Sequence, residues 1–502
     1  MREWTIRELH EAYRAGETDP RAVCEDYLSR IERIDRRGPG LRSVIETNPD
    51  ALEEAAAQAA RLRHDAEGFL AARPLAGIPV LLKDNIDTGD RMKTTAGSLA
   101  LLDAPTPADA YLVTRLREAG AVILGKTNLS EWANFRSTHS NSGWSSRGGQ
   151  TLNPYVLDRS PCGSSSGSGA AIAANLAVVA VGTETDGSIT CPAAQNSLVG
   201  LKPTVGVVSR TGIVPIASSQ DTAGPMARTV ADAAILLQAI AGYDATDPGS
   251  RAPGEAGFRD YLDAAFVRGR RIGVPVARES FRAPIAGAFA AAIGALEAAG
   301  AIVVPVDLPD LARAGAHEFT VLLYEFRRGL DEYLVRRGGA LRSLDDVIAY
   351  NREHADTVMP IFGQEIMERA ASCGSLDDAE YRDAVRESRR IAGPEGLIGM
   401  LAEHELDAIA APSNGPAWLI DHVNGDSFTG TSFSRGPAIS GAPHVTVPMG
   451  YQRELPLGIS FAGAVGDDAR LLGIAYAFEQ AHPVRRPPRF VASLGLHAVT
   501  GC

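Results

Sequence analysis

The sequence predicts a single large α/β domain, in which helices cover a central mixed sheet. Up to residue 306, short apolar segments typical of strands alternate with longer amphipathic segments typical of helices. Alternation of this kind builds a largely parallel or mixed sheet. Strand patterns almost vanish over residues 311–405 and return afterwards. This return favours one domain, 1–502, with a helical insertion at about 311–405.

The predicted elements follow from local patterns, starting with two helices. Thr18 as N-cap and Pro20 in the first turn predict a helix to about residue 35, and an alanine-rich helix follows at 49–67. An apolar run at 78–82 predicts a strand that ends at Lys83. Further helices are predicted at 109–119, 170–176, 228–242, 283–299, 318–336 and 377–391, and strands at 121–124, 178–181, 271–275, 302–306, 406–411, 444–448 and 458–463.

Composition excludes several classes of partner. The formal charge of -12 and the pI near 5.4 argue against binding to nucleic acid or to an anionic membrane. The longest apolar run, 169–182, is too short to span a bilayer. No signal peptide is visible at the N-terminus. We therefore expect a cytoplasmic enzyme.

The cysteines give no sign of a metal centre. Cys24, Cys162, Cys191, Cys373 and Cys502 are scattered, odd in number and without a CxxC pair. This pattern suggests neither a disulfide framework nor a zinc site. Two of them flank the serine-rich stretch described next, which allows a redox or nucleophilic role, but burial as small apolar residues is favoured.

Residues 160–190 form the most informative stretch, because serine and glycine are concentrated in it. Two predicted loops, 163–169 and 182–188, are joined by an apolar segment. Glycine lets backbone approach a reacting atom closely, and serine supplies a nucleophile or a proton relay. The two loops are therefore candidates for the walls of a catalytic site.

Three chemical interpretations of this stretch compete. A phosphate-binding loop is disfavoured, because no lysine follows the glycines as the Walker pattern requires. A nucleophile elbow centred on Ser165 matches G-x-S-x-G, but it needs a later acid and histidine, and neither His444 nor His482 has a recognisable context. The third interpretation uses serine and lysine. Lys83 ends an apolar run, where burial would lower its pKa and let the neutral amine act as a base.

Lysine is rare in this chain, which has four lysines and 45 arginines. An arginine cannot be deprotonated in a protein, whereas a buried lysine can lose its proton. The remaining lysines are therefore candidates for roles that arginine cannot fill. For Lys126 and Lys202 we favour a structural role, hydrogen bonding to buried carbonyls, over electrostatic support of the site. For Lys93 we favour packing.

Several segments together resemble the amidase signature family over nearly the whole chain. The similar segments are GIPVLLKDNIDT (77–88), GKTNLSEWAN (125–134), PCGSSSGSGAA (161–171), GTETDGSITCPAAQNSLVGLKPTVG (182–206), DTAGPMARTVADAA (221–234) and GAPHVTVPMG (441–450). The sequences of three segments, GTETDGSI, QDTAGPMAR and LLYEFRRGL, are most similar to those of bacterial peptide amidases, which remove the C-terminal amide of peptides.

The resemblance implies a catalytic triad. Ser188 falls on the nucleophile, Ser164 on the bridging serine with a cis peptide bond, and Lys83 on the general base. The oxyanion hole is implied to consist of backbone N–H groups of Thr185, Asp186, Gly187 and Ser188. No metal or other cofactor is implied.

The chain departs from the commonest family pattern, GTDTGGSIR, at three positions. Glu184 replaces an aspartate, Asp186 a glycine and Thr190 an arginine. A carboxylate at 186 would repel a developing oxyanion unless its side chain points away, although its N–H can still donate. Ser165 is expected to support the hydrogen-bond network.

The resemblance implies an amide hydrolase whose partner is a small peptide amide or another amide substrate. Two alternatives stay open. One is an amidase for aryl or small aliphatic amides, and the other is an amidotransferase subunit that needs a partner chain. Trp132, Phe135 and Trp144 are candidates for the substrate pocket, although buried packing is the commoner role of aromatic residues.

Overall fold

Eleven strands form one mixed sheet in the computed structural model, which describes residues 2–104, 106–276, 283–428 and 432–495. The order across the sheet is β1-β3-β2-β6-β8-β7-β12-β13-β11-β9-β10, and β4 and β5 pair separately. The strands are β1 Val44–Thr47, β2 Pro79–Lys83, β3 Val122–Thr127, β4 Trp144–Ser145, β5 Gly149–Gln150, β6 Val179–Glu184, β7 Val199–Lys202, β8 Thr222–Ala227, β9 Arg271–Pro275, β10 Ile302–Val306, β11 Ala408–Pro412, β12 His444–Gln452 and β13 Leu455–Ala462. The predicted fold class is confirmed.

Helices pack around this sheet. They are α1 Ile6–Ala15, α2 Pro20–Arg30, α3 Ala51–His64, α4 Ala66–Ala72, α5 Tyr111–Glu118, α6 Ser166–Ala173, α7 Thr190–Gln195, α8 Val230–Ile240, α9 Ala283–Ala298, α10 Ala312–Arg337, α11 Leu344–Glu353, α12 Ala355–Val358, α13 Glu365–Ala371, α14 Ala379–Ala392, α15 Leu397–Glu403, α16 Arg435–Ser440 and α17 Asp468–Ala481. A π-helix, Ile31–Arg37, continues α2, and two short 3-10 turns lie at Leu99–Leu101 and Glu131–Asn134. None of the described helices is long and apolar enough to cross a membrane.

A parallel trio of strands positions the serine-rich stretch. The strand β2 pairs in parallel with β3 on one side and with β6 on the other. All residues of these three strands are buried, as expected for strands covered on both faces. Because parallel strands end at the same edge of a sheet, Lys83 at the end of β2 lies beside Thr183 near the end of β6.

Residues 312–403 contain six helices, α10 to α15, and no strand. Several of them pack on segments that follow the central strands, so that Phe326 of α10 and Phe135 lie in one apolar cluster. Their rings meet edge to face with centroids 5.0 Å apart. The helical region thereby reaches the edge of the sheet where Lys83 lies.

Several predicted boundaries were wrong for identifiable reasons. The cap of α2 is Asp19, whose carboxylate accepts from the N–H of Ala22 at 3.0 Å, and not Thr18. The two predicted loops are shorter than expected, because α6 already begins at Ser166 and β6 continues to Glu184.

Candidate active site

Lys83 is completely buried and bonded to uncharged oxygens. Its Nζ lies 2.8 Å from Ser164 Oγ, 2.8 Å from Thr183 Oγ1 and 3.2 Å from the carbonyl of Thr183. Burial lowers the pKa of this amine from its ordinary value to about 7, while the charges of Asp221 and Glu184 act in the opposite direction. A substantial neutral fraction near pH 7 makes this lysine available as a base.

The peptide bond between Gly163 and Ser164 is cis. The carbonyl of Ser164 accepts from the N–H of Ser130 at 3.1 Å. A Cβ at position 163 would overlap the hydroxyl of Ser130. Glycine is therefore required at this position by close packing against Ser130.

Among the serines of the two loops at 163–169 and 182–188, Ser188 is the one that faces a cavity. Its side chain lines a cavity of about 330 Å³ and is 9% exposed, whereas Ser164 and Ser165 are fully buried. The hydroxyl of Ser165 donates to the carbonyl of Thr183 at 3.1 Å and accepts from the N–H of the same residue. The backbone N–H of Ser165 donates to the carbonyl of Ser188 at 3.1 Å. Ser165 thus supports the network, as expected, and connects its two halves.

Glu184 organises the turn around Ser188. One of its carboxylate oxygens accepts from the N–H groups of Ile189 and Thr190, at 2.7 and 2.9 Å. In contrast, no hydrogen bond in the described part of the chain uses the N–H groups of residues 185–188. These N–H groups are free to donate to a substrate oxygen, which is the property an oxyanion hole requires.

A second carboxylate holds the other end of this turn. Asp221 accepts from the hydroxyl of Thr185 at 2.5 Å and from the backbone N–H groups of Ile216 and Ala217, at 2.8 and 2.9 Å. Burial raises the pKa of Asp221 to about 6. The turn at residues 185–190 is therefore held at both ends by carboxylates, by Asp221 at Thr185 and by Glu184 at Ile189 and Thr190.

The cavity wall is mostly apolar. Of the three aromatic candidates only Phe135 lines it, while Trp132 and Trp144 are buried in the packing around it. Sequence reasoning missed four other large apolar lining residues, which are Ile216, Leu322, Trp418 and Phe428. They come from segments without a recognisable motif.

The histidines of the nucleophile-elbow alternative do not contact Ser165. His444 is fully buried and bonds Ser460 Oγ at 2.6 Å, and burial lowers its pKa to about 3. His482 bonds the carbonyl of Met449 at 3.0 Å. Neither histidine therefore pairs with Ser165, as the nucleophile-elbow alternative would require.

Comparison with known proteins decides the family. The sequence model of the Amidase family matches residues 22–472. The chain is 40% identical to a probable amidase of Arabidopsis thaliana, over 98% of this chain and 92% of the relative. This protein belongs to the amidase signature family. The structure of the peptide amidase from Stenotrophomonas maltophilia is 51% identical, with a TM-score of 0.91 over 97% of this chain and 99% of that one.

A second kind of relative shares the same family fold. A glutamyl-tRNA(Gln) amidotransferase subunit from Halorhodospira halophila is 36% identical, over 96% of this chain and 97% of the relative. The protein is thus an amidase-type hydrolase by family, and both kinds of relative match it over nearly their full length.

The sequence prediction for two cysteines of the amidase was wrong. Cys162 and Cys191 form a disulfide across 29 residues and do not lie as separate apolar side chains. The bond connects the segment before Ser164 to α7, which follows Ser188, and both cysteines line the cavity.

The two lysines assigned a structural role have the expected contacts. Lys126 Nζ bonds the carbonyl of Ile86 at 2.5 Å and Thr94 Oγ1 at 2.8 Å. Lys202 Nζ bonds the carbonyl of Pro203 at 3.1 Å. Both amines are fully buried in the amidase.

We expect reduction of the Cys162–Cys191 disulfide to lower the free energy of unfolding by about 3 kcal/mol, because the bond restricts the unfolded chain. Denaturant unfolding with and without a phosphine reductant measures this change. A Cys373→Ser variant is the control, since Cys373 is a free thiol and its loss should leave the reductant effect intact. The disulfide would be contradicted if mass spectrometry showed that Cys162 and Cys191 are alkylated without any reductant.

Proposed function

We propose that the amidase cleaves amides through Ser188, Ser164 and Lys83. Neutral Lys83 accepts a proton through Ser164 while Ser188 attacks the amide carbonyl. The support is the 2.8 Å bond between Lys83 and Ser164, together with the position of Ser188 on the cavity wall. The tetrahedral oxyanion is held by the unpaired N–H groups of residues 185–188, and such a donor is typically worth roughly 3 kcal/mol.

The same relay runs in reverse to release the leaving group. Protonated Lys83 returns its proton through Ser164 to the leaving nitrogen, which departs as ammonia or an amine. Protonation of this nitrogen makes the amide bond cleavable. Water then enters by the same route and hydrolyses the acyl-enzyme on Ser188, giving a carboxylic acid.

The substrate we propose is the C-terminal amide of a peptide. The cavity beside Ser188 has apolar walls that suit the last side chain of a peptide. Pro416 and Trp418 also line an adjoining cavity of about 690 Å³, which has polar groups such as Asn424 and Gln452. This second cavity offers room for earlier residues of the peptide, whereas a small aliphatic amide would leave it empty. The likeness to a peptide amidase supports the same substrate class.

The decisive experiment measures ammonia released by the purified chain from a blocked dipeptide amide. The same dipeptide anilide and a free small amide such as propionamide are assayed beside it. Peptide amidase activity requires the dipeptide amide to have the highest kcat/KM. Preference for the anilide or for propionamide would support the aryl or aliphatic alternative, and ammonia release that requires an added partner chain would support the amidotransferase alternative.

We expect kcat/KM for an uncharged peptide amide to rise about tenfold per pH unit up to pH 7 and then to level off. The reason is that Lys83, with a pKa of about 7, must be neutral to accept a proton. Initial rates at low substrate concentration over the range of about pH 5.5 to 9 test this. Activity that still rises about tenfold per pH unit at the alkaline end of this range would contradict the lowered pKa of Lys83, because the base would then titrate nearer the ordinary lysine value.

A further inference from the structure

Asp186 is the charged side chain in the substrate cavity. Among the described residues that line this cavity, all others are apolar or uncharged. Asp186 lies two residues before Ser188 and stands where the commonest family pattern has glycine. The cavity therefore holds a negative charge close to the serine that would be acylated.

The carboxylate of Asp186 has no direct partner. Its Oδ1 is buried and accepts no hydrogen bond, and no ion pair within 4.0 Å includes Asp186 in the described parts of the chain. Arg435 interacts with Asp186 electrostatically, but its guanidinium donates to Glu318 at 2.9 Å. Asp186 is half-buried, and its buried Oδ1 forgoes a hydrogen bond, which carries a free-energy cost in the folded protein.

The surrounding contacts hold this arrangement in place. The side-chain amide of Gln220 donates to Glu318 at 3.1 Å and to the backbone carbonyl of Thr185 at 3.3 Å. Arg435 lines a neighbouring cavity of about 300 Å³, to which Asp186 also contributes. Arg435 therefore does not line the cavity beside Ser188, whereas Asp186 lines both cavities.

We infer that Asp186 makes the amidase discriminate between a peptide amide and the peptide acid formed from it. This inference rests on the proposed function and extends it to product release. Hydrolysis converts a neutral amide and water into a carboxylate and ammonium. The new carboxylate forms beside Ser188, in the cavity that Asp186 also lines, and two like charges in one cavity repel each other. The acid is expelled, whereas a neutral amide binds without this repulsion. The oxyanion that develops later is held by the N–H groups of residues 185–188, which have no other acceptor among the described residues.

The test compares the binding of two ligands of the same blocked dipeptide sequence, the free acid and the neutral C-terminal alcohol. Isothermal titration calorimetry gives both Kd values without relying on turnover. In wild type the acid should bind about 10- to 100-fold more weakly than the alcohol. Asp186→Asn should remove most of this ratio by tightening the acid and leaving the alcohol unchanged.

The matched control is Asp310→Asn, which removes the same charge from the neighbouring cavity. Asp310 is exposed and caps the N–H of Ala312, and its variant should keep the wild-type ratio. If Asp186→Asn does not fold, salt provides the second test. In wild type the ratio of the two Kd values should shrink as the salt concentration is raised, because salt screens the repulsion. The inference about Asp186 is overturned if Asp186→Asn keeps the wild-type ratio of the two Kd values, or if the wild-type ratio does not change with salt. Either result leaves the proposed function standing. Failure of wild type to bind the alcohol overturns the proposed peptide substrate as well.

Discussion

Ser188→Ala should lower kcat for a peptide amide by at least about 10⁴-fold, because it removes the nucleophile while leaving the cavity intact. The lost hydroxyl lies on the cavity wall, so no buried network is broken and the stability should change little. Steady-state ammonia release measures the loss. Mass spectrometry of wild type with a slow ester substrate should show the acyl group on the peptide that contains Ser188.

The informative control for this variant is Ser165→Ala, because Ser165 is the nucleophile of the competing G-x-S-x-G interpretation. Its hydroxyl bonds only the backbone of Thr183 among the described residues. Loss of such bonds should cost roughly tenfold or less in rate. If Ser188→Ala kept substantial turnover and Ser165→Ala were inactive, the nucleophile would be Ser165 and not Ser188.

Lys83→Arg should lower kcat/KM by roughly 1,000-fold or more, since general base catalysis contributes on this scale. Arginine keeps the positive charge but cannot be deprotonated, and therefore cannot accept the proton from Ser164. The measurement is kcat/KM on the same peptide amide across the pH range. The residual activity should no longer show an acid limb near pH 7.

Two further variants separate chemistry from packing at this position. Lys83→Met tests the buried position without introducing the larger guanidinium group. This variant should be as inactive as Lys83→Arg, and its circular dichroism spectrum should show that it is folded. Lys93→Arg changes a lysine that is only half-buried, and should behave as wild type. Activity of Lys83→Arg within tenfold of wild type would exclude the neutral lysine as the base.

Much of the fold was predictable where a strand is apolar and regular. The bounds of β9 and β10 match the predicted 271–275 and 302–306. The strand β8 was missed because its sequence, TAGPMA, includes glycine and proline, which are uncommon within strands. The strands β1 and β7 were missed because each has only four residues. Their place in the sheet is set by pairing with distant partners and not by local propensity.

The geometry of the candidate site depended on contacts that no local pattern reveals. The resemblance placed Lys83 and Ser164 in one site although 81 residues separate them, and their side chains are bonded. The disulfide was not predictable from spacing, because Cys162 and Cys191 meet only after α6 and α7 pack together. The rings of Trp418 and Phe428 meet in a tilted arrangement with centroids 4.4 Å apart, in a segment with no motif to identify it.

The burial of three of the four lysines gives a direct chemical readout of the folded state. Lys83, Lys126 and Lys202 have no solvent-exposed surface, and Lys93 is partly exposed. An activated ester should therefore acylate the native enzyme at one lysine side chain. An enzyme molecule that is acylated at a second lysine side chain must have unfolded far enough to expose a buried lysine. Mass spectrometry could count these events molecule by molecule. The same property offers a single lysine for attaching the enzyme to a support without modifying its proposed base.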